Sequence, residues 1–148
     1  MASLYLATSQ KATAVTTSIV CNFTGPTDQN LVVAKGNTME IYTLHATGIV
    51  SEKSITLLGK IVCLESYKVP HSNQDLIFVF THKKQFCVIG WNADPSIRKP
   101  FFKAVGNLRD RCGKDSEVGY RVFIDPESRM IGVLVHEGQL KVMPISFF

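Results

Sequence analysis

Hydrophobic and polar positions follow one another in short runs along this chain, in a pattern typical of β-strands. Runs rich in Val, Ile, Phe, Tyr and Thr recur about every ten residues and are separated by Gly, Pro, Asn, Asp and Lys. No longer window keeps a convincing helical period, so no substantial helix is predicted. The predicted strands are residues 14–23, 31–34, 39–44, 54–58, 61–67, 76–81, 85–91, 101–105, 120–124, 130–135 and 139–144.

Three predicted hairpins share one design, in which a buried strand leads through a tight turn into a second strand. Their turns lie at 35–37, 82–84 and 137–138. In each hairpin the first strand is apolar at nearly every position, as a strand packed between two layers must be. The second strand alternates more, which predicts one face directed outward.

The spacing of these turns predicts the fold class. Their centres are separated by roughly 46 and then roughly 54 residues, close to the repeat of about 40–50 residues that four-stranded propeller blades show. The predicted fold is therefore all-β, the first three or so blades of a WD-type β-propeller. A β-sandwich, whose strands recur at a similar spacing, is the alternative.

Three blades do not close a propeller, which takes roughly four to eight blades around its channel. We therefore expect residues 1–148 to form the N-terminal part of a single propeller domain that is truncated as given. An open array exposes strand edges and sheet faces, so we also expect the chain to be poorly stable alone.

Charge and cysteine usage narrow the function classes. The chain carries 16 Lys and Arg against 12 Asp and Glu, and its longest basic run is Lys83-Lys84, so a polybasic arm for nucleic acid is not indicated. Cys21, Cys63, Cys87 and Cys112 lie far apart without zinc-ligand spacing, which predicts free thiols in a reduced, intracellular protein and no metal or other cofactor. The apolar runs are too short to span a membrane.

Sequence features of catalysis are missing. The four histidines fall in or beside predicted turns, and the chain has neither a Gly-x-Ser-x-Gly elbow nor a phosphate-binding glycine loop. We therefore expect no enzyme activity. Direct nucleic-acid binding is a second hypothesis, but it needs exposed aromatic side chains, and most aromatics here lie within apolar strands.

Several stretches resemble one protein family across essentially the whole chain. They are residues 8–15, 30–35, 39–42, 106–114, 116–119, 124–132 and 141–144. These resemble the start of the large subunit of the damaged-DNA-binding protein, whose family includes the large splicing-factor subunit and the large cleavage and polyadenylation-factor subunit. The sequence departs from the pattern at Gly36-Asn37, where the first turn is slightly altered, at Val105, where a His is expected, at His136, where an aromatic residue is expected, and at 145–148.

The resemblance implies a non-catalytic scaffold of a cullin-type E3 ubiquitin ligase linked to the DNA damage response, found in the nucleus and cytoplasm. This segment is expected to help dock propeller-type substrate receptors, whereas the cullin is bound through the rest of the full-length chain. Nucleic acid is contacted only indirectly. The alternative is a propeller scaffold in a splicing or mRNA 3'-end processing complex.

The polar, cationic stretch 106–119 is the candidate partner-binding loop, because propellers use loops for recognition. Its candidate residues are Asn107, Arg109, Asp110, Arg111, Lys114 and Glu117. Arg side chains suit bidentate contact with acidic groups of a receptor. The structural alternative is that Asp110 pairs with Arg109 or Arg111 and that the glycines serve only the loop's turns.

Three other features are interpreted as structural. Residues 125–129 predict a turn between strands. Lys35 and Glu40 flank a hairpin turn and can form a cross-strand pair. Trp91, the only Trp, is interpreted as a core or inter-blade residue.

Overall fold

The computed structural model describes residues 2–145, and this part of the chain contains eleven strands and no helix. The strands are β1 (Thr17–Cys21), β2 (Asn30–Lys35), β3 (Thr38–His45), β4 (Gly48–Thr56), β5 (Ile61–Lys68), β6 (Asp75–Thr81), β7 (Gln85–Asn92), β8 (Lys99–Asn107), β9 (Arg121–Ile124), β10 (Met130–His136) and β11 (Gln139–Pro144). Each predicted strand has a counterpart. The largest error is in β4, predicted at 54–58, because its first half is exposed and its apolar residues, Ile49 and Val50, do not alternate with polar ones.

The strands form three antiparallel sheets in chain order: β1-β2-β3-β4, β5-β6-β7-β8 and β9-β10-β11. All three predicted hairpins are confirmed as β2–β3, β6–β7 and β10–β11. Gly36 (φ 63°) and Gly138 (φ 67°) occupy left-handed positions in the first and third of these turns, where a side chain would add strain.

The arrangement is that of propeller blades. The first strand of each sheet is innermost, with β1 against β5 and β5 against β9. All of β6 is buried, and its side chains alternate between two cores: Ile77 and Val79 pack towards the first sheet, Phe78 and Phe80 towards the third. A two-layer sandwich has one core between its sheets, so the sandwich alternative is wrong. The three sheets do not close into a ring.

The first core joins the first two sheets. Its buried residues are Cys21, Phe23, Val32, Ala34, Met39, Ile41, Ile61, Leu64, Ile77, Val79, Cys87, Ile89 and Trp91. The Trp91 and Phe23 ring centroids are 5.8 Å apart, and Trp91 is 6% exposed. The interpretation of Trp91 as an inter-blade residue is therefore confirmed.

The second core joins the second and third sheets. Its buried residues are Tyr67, Leu76, Phe78, Phe80, Val88, Ile131, Val133 and Val135. The stacked rings of Phe78 and Phe86, with centroids 5.4 Å apart, extend this core towards β7. The second sheet thus has a packed neighbour on each face.

The position of the second sheet between two neighbours explains where the predicted burial pattern is confirmed and where it is wrong. The alternation expected of second hairpin strands is confirmed in β3. It is wrong in β7, where the five residues from Cys87 to Trp91 are all buried, because both faces of that strand are covered. The outer strands β4 and β8 are mostly exposed. The third sheet also has an exposed apolar face that includes Phe123, Leu140 and Val142.

Local polar contacts stabilise the turns. The Asn30 side chain is fully buried, and its Oδ1 accepts hydrogen bonds from the backbone N–H groups of Phe23 and Thr24, both at 2.9 Å. Lys35 Nζ lies 2.7 Å from Glu40 Oε2, which confirms the cross-strand pair and lowers the pKa of Glu40.

The predicted turn between β9 and β10 is confirmed. Asp125 O accepts from Ser128 N at 2.7 Å, and Asp125 Oδ2 accepts from Arg129 Nε at 2.7 Å. No helix long and apolar enough to cross a bilayer occurs in residues 2–145.

Candidate partner-binding loop

The candidate loop connects β8 to β9 and covers residues 108–120. The predicted start at Gly106 is two residues too early, since Gly106 and Asn107 end β8, paired with Phe86 and Gln85. The Phe86 ring lies over Gly106 so closely that a Cβ there would come within 3.0 Å of two ring carbons. Glycine at this position is therefore a strand residue that makes room for a ring, not a loop residue.

Two polar side chains shape the first half of the loop. Asn107 Oδ1 accepts a hydrogen bond from Arg109 N at 2.8 Å, and Asp110 Oδ1 accepts one from Cys112 N at 3.0 Å. The bond from Cys112 N lowers the pKa of Asp110. Both side chains stabilise the loop's own backbone in Asx turns.

Arg109 and Arg111 are exposed at this turn. Of the ion pairs formed within residues 2–145, none includes either guanidinium, so the pairing of Asp110 with its arginine neighbours is not observed. The structure thus presents two unpaired planar donors close together in the chain. Such groups bind carboxylates through two parallel hydrogen bonds.

The other two charged candidates pair with each other. Lys114 Nζ lies 2.6 Å from Glu117 Oε1, with both side chains about 70% exposed (70% and 71%). An exposed pair of this kind contributes little to stability, and it offsets the charge of both groups. Positive charge at this loop is therefore concentrated at Arg109 and Arg111.

Residues distant in sequence fix the loop in place, and none of them is among the residues predicted for this site. Leu108 N donates to Lys84 O at 2.8 Å, and Lys141 Nζ donates to Leu108 O at 2.9 Å. Lys84 Nζ also lies 2.5 Å from Asp115 Oδ1, and its hydrogen bond holds the pKa of the Asp115 carboxyl below its usual range. No local sequence pattern indicates these contacts, since they join the β8–β9 loop to the β6–β7 turn and to β11.

The loop also closes over His136. The His136 side chain is fully buried and neither ring nitrogen has a hydrogen-bond partner. A Cβ on Gly113 would lie within 3.0 Å of three ring atoms, so the backbone of Gly113 rests directly on the imidazole. Backbone bonds from Ser116 N to Val135 O (3.0 Å) and from Glu137 N to Lys114 O (2.8 Å) flank this contact. Position 136, where the family pattern predicts an aromatic residue, is thus a buried position at which the His136 ring packs beneath the loop.

The arrangement is a loop that the second and third sheets contact at several points and that presents two arginines. Among the described side chains there is no grouping of three or more His, Cys, Asp or Glu residues suited to a metal ion. The two exposed guanidinium groups can bind acidic or carbonyl groups.

Comparison with known proteins agrees with this fold. Residues 14–147 match the family model described as "RSE1/DDB1/CPSF1 first beta-propeller", and the chain belongs to this family. The predicted family and the predicted propeller fold are thereby confirmed.

The chain is 36% identical over 140 residues to proteins named DNA damage-binding protein 1 from Oryza sativa subsp. japonica and from Solanum lycopersicum. It is 37% identical over 140 residues to DNA damage-binding protein 1b of Arabidopsis thaliana. Each alignment covers 95% of this chain and 13% of the relative, so the chain spans about an eighth of the length of these relatives.

Proposed function

We propose that this chain is the N-terminal propeller segment of a non-catalytic adaptor in a cullin-type E3 ubiquitin ligase that acts in the DNA damage response. Membership of the RSE1/DDB1/CPSF1 propeller family supports a scaffold role. The relatives' shared name, DNA damage-binding protein 1, favours this branch over a splicing or mRNA 3'-end processing scaffold.

The observation that carries the proposal is the pair of exposed guanidiniums at Arg109 and Arg111 without carboxylate partners, on a loop held by Lys84, Lys141 and His136. A held loop loses little conformational entropy on binding. The partner is a propeller-type substrate receptor, which presents acidic side chains or the C-terminal carbonyls of a helix to these donors. Each charge-assisted hydrogen bond contributes about 1.5–3 kcal/mol.

The remaining assignments rest on the same family membership. The cullin binds the rest of the full-length chain, and nucleic acid is reached indirectly, through a receptor. The protein works in the nucleus and cytoplasm and needs no cofactor.

The test uses the natural full-length chain, tagged at its N-terminus and expressed in cells, with co-purifying proteins quantified by mass spectrometry. Wild type is compared with Arg109→Glu/Arg111→Glu. The matched control is Lys99→Glu/Lys103→Glu, which changes the net charge equally at two exposed positions of β8 that take part in no ion pair within residues 2–145. We expect the cullin to co-purify with wild type and with both variants. Propeller receptors should be depleted at least several-fold with Arg109→Glu/Arg111→Glu and not with the control.

The other outcomes contradict the proposal in distinguishable ways. Splicing or polyadenylation factors in place of cullin would assign the chain to the alternative scaffold. Undiminished receptors with the loop variant would remove the loop from docking while leaving the ligase role intact. Salt-dependent DNA binding by the purified chain without a receptor would favour direct nucleic-acid recognition.

A further inference from the structure

A second surface lies on the other side of the second sheet from the loop, in the space between the outer parts of the first and second sheets. We call it the rim groove, and its lining includes Leu57, Leu58, Thr81, Cys87, Phe102 and Val105. Its cavity volume is about 200 Å³. An apolar cavity of about 150 Å³ holds a benzene molecule, so the rim groove has room for one bulky apolar side chain.

The apolar residues of the rim groove are unusually exposed. Leu58 is 90% exposed, Val105 73% and Phe102 55%. Single exposed apolar residues are common on protein surfaces. Three that line one concave site are not scattered, and such patches mark interaction sites.

The groove remains open in a closed propeller. It lies beside β4 and β8, which are the outer edge strands of their sheets. Added blades pack against the faces of the first and third sheets, not against the rim between the first and second. The occupant is therefore not a further blade of this chain.

Unpaired cations border the groove. Lys53 is the cross-strand partner of Ile41, which packs towards the second sheet, so the Lys53 side chain lies on that same face of β4. Lys60 directly follows Gly59 of the groove lining. Both are exposed, and neither takes part in an ion pair within residues 2–145.

The carboxylate nearest in sequence is already engaged. Glu52 Oε2 lies 3.7 Å from Arg98 Nη2, and Glu52 Oε1 accepts from Thr43 Oγ1 at 2.7 Å. The border of the groove is thus positive around an apolar centre.

We propose that the rim groove binds an extended segment of a partner protein that carries one bulky apolar residue, Leu or Phe, flanked by Asp or Glu. The apolar side chain fills the space over Leu57 and Phe102, and the flanking carboxylates face Lys53 and Lys60. This recognition is independent of the loop, since the groove and the loop lie on opposite faces of the second sheet.

The test is a random 12-residue peptide library displayed on phage and selected on the purified natural full-length chain. We expect enriched sequences with Leu or Phe next to at least two acidic residues. Synthetic peptides with these sequences should bind the Leu58→Asp variant and the Lys53→Glu/Lys60→Glu variant at least tenfold more weakly than they bind wild type. Leu58 is so exposed that its replacement leaves folding intact, and amide exchange of the core strands provides the check.

Two controls sharpen the result. Ile49→Asp introduces the same charge on the other face of β4, opposite Leu44, and should bind as wild type does. Arg109→Glu/Arg111→Glu should also bind normally. Absence of enrichment, enrichment of peptides without acidic residues, or equal binding to the Leu58→Asp and Lys53→Glu/Lys60→Glu variants would each overturn the proposal.

Discussion

Lys84 Nζ lies 2.5 Å from Asp115 Oδ1, and this ion pair joins the β6–β7 turn of the second sheet to the loop that leads into the third. The Lys84 side chain is 15% exposed and that of Asp115 57%. Lys84 also accepts the backbone bond from Leu108 N at 2.8 Å. One turn residue therefore holds the loop at two points.

We expect Lys84→Ala to loosen the loop while leaving the cores intact. The substitution removes the ion-pair partner of Asp115 but keeps the backbone bond to Leu108. Hydrogen–deuterium exchange of the full-length chain should show several-fold faster exchange across 109–118 and unchanged exchange in β6. Lys83→Ala, at the neighbouring exposed position, is the matched control. Equal protection of the loop in both variants would mean that the ion pair does not hold it.

The same pair predicts a pH dependence. Its hydrogen bond to Lys84 lowers the pKa of Asp115, so the pair stabilises the folded loop above the unfolded carboxyl pKa of about 3.9 and is lost as the pH falls through the lower folded value. A nitroxide label on exposed Cys112 should thus report a rigid loop above about pH 4 and a loop that becomes mobile as the pH falls further, through the lowered pKa of Asp115.

Asp110 titrates in the same direction, since its pKa is also lowered. The mobility of the label should therefore be measured against pH in the Asp115→Asn and Asp110→Asn variants as well. Asp115→Asn is expected to be mobile at every pH. A transition that disappears only in Asp110→Asn would assign the effect to the Asx turn instead.

Gly113 and His136 should be energetically coupled. Gly113→Ala places a methyl group within 3.0 Å of a fully buried ring, and overpacking of this kind costs about 1–3 kcal/mol. The cost should fall when His136 is replaced by Ala, because the ring is then absent. A double-mutant cycle on amide exchange of the Ser116 and Glu137 N–H groups measures this coupling. Additive effects would show that the loop relaxes around the added methyl.

Asn30 should be far more sensitive to replacement than Asn37. Asn30→Ala leaves the buried amides of Phe23 and Thr24 without an acceptor, at a cost of about 2 kcal/mol or more. Exchange of those amides should accelerate by more than about tenfold. Asn37 is exposed and donates to Leu57 O at 3.3 Å, so Asn37→Ala should change exchange little. Similar effects at both positions would contradict the burial argument.

The four thiols should react in order of exposure. Burial and the nearby charge of Asp75 raise the pKa of Cys21 to about 12, and burial raises that of Cys87 to about 11. Cys112 is exposed and Cys63 half-buried. Iodoacetamide labelling at pH 8 should modify Cys112 first, Cys63 slowly, and Cys21 and Cys87 only after denaturation. Early labelling of Cys21 would indicate that the first core opens readily.

The 148-residue chain alone should be poorly stable. Phe123 is 49% exposed, Leu140 56% and Val142 52%, all on a sheet face without a neighbouring blade. We expect self-association or a broad thermal transition, followed by light scattering and circular dichroism. A cooperative, monomeric melt would contradict this expectation.

The fold was predictable because the buried strands carry their own signal. β6 and β10 are apolar along their length, and the turns at Gly36 and Gly138 mark where the chain reverses. β4 was misplaced because backbone pairing with β3, not burial, holds it, and exposed strands show no hydrophobic pattern.

The candidate loop was only partly predictable. Its position, its polarity and its two arginines are visible in the sequence. The contacts that hold it, from Lys84 to Asp115 and from Gly113 to His136, join residues more than twenty positions apart. Such long-range pairs depend on how sheets stack, and no local pattern carries that information.

The division of β6 between two cores limits how this segment can change over time. A substitution at Ile77 disturbs one interface and a substitution at Phe78 the other, so each can be compensated locally. An insertion or deletion of one residue in β6 would exchange the two sets and present Phe side chains to a space shaped for Ile and Val. We therefore expect length changes to be tolerated in the outer strands β4 and β8, whereas the register of β6, which decides which residues face which core, must be kept.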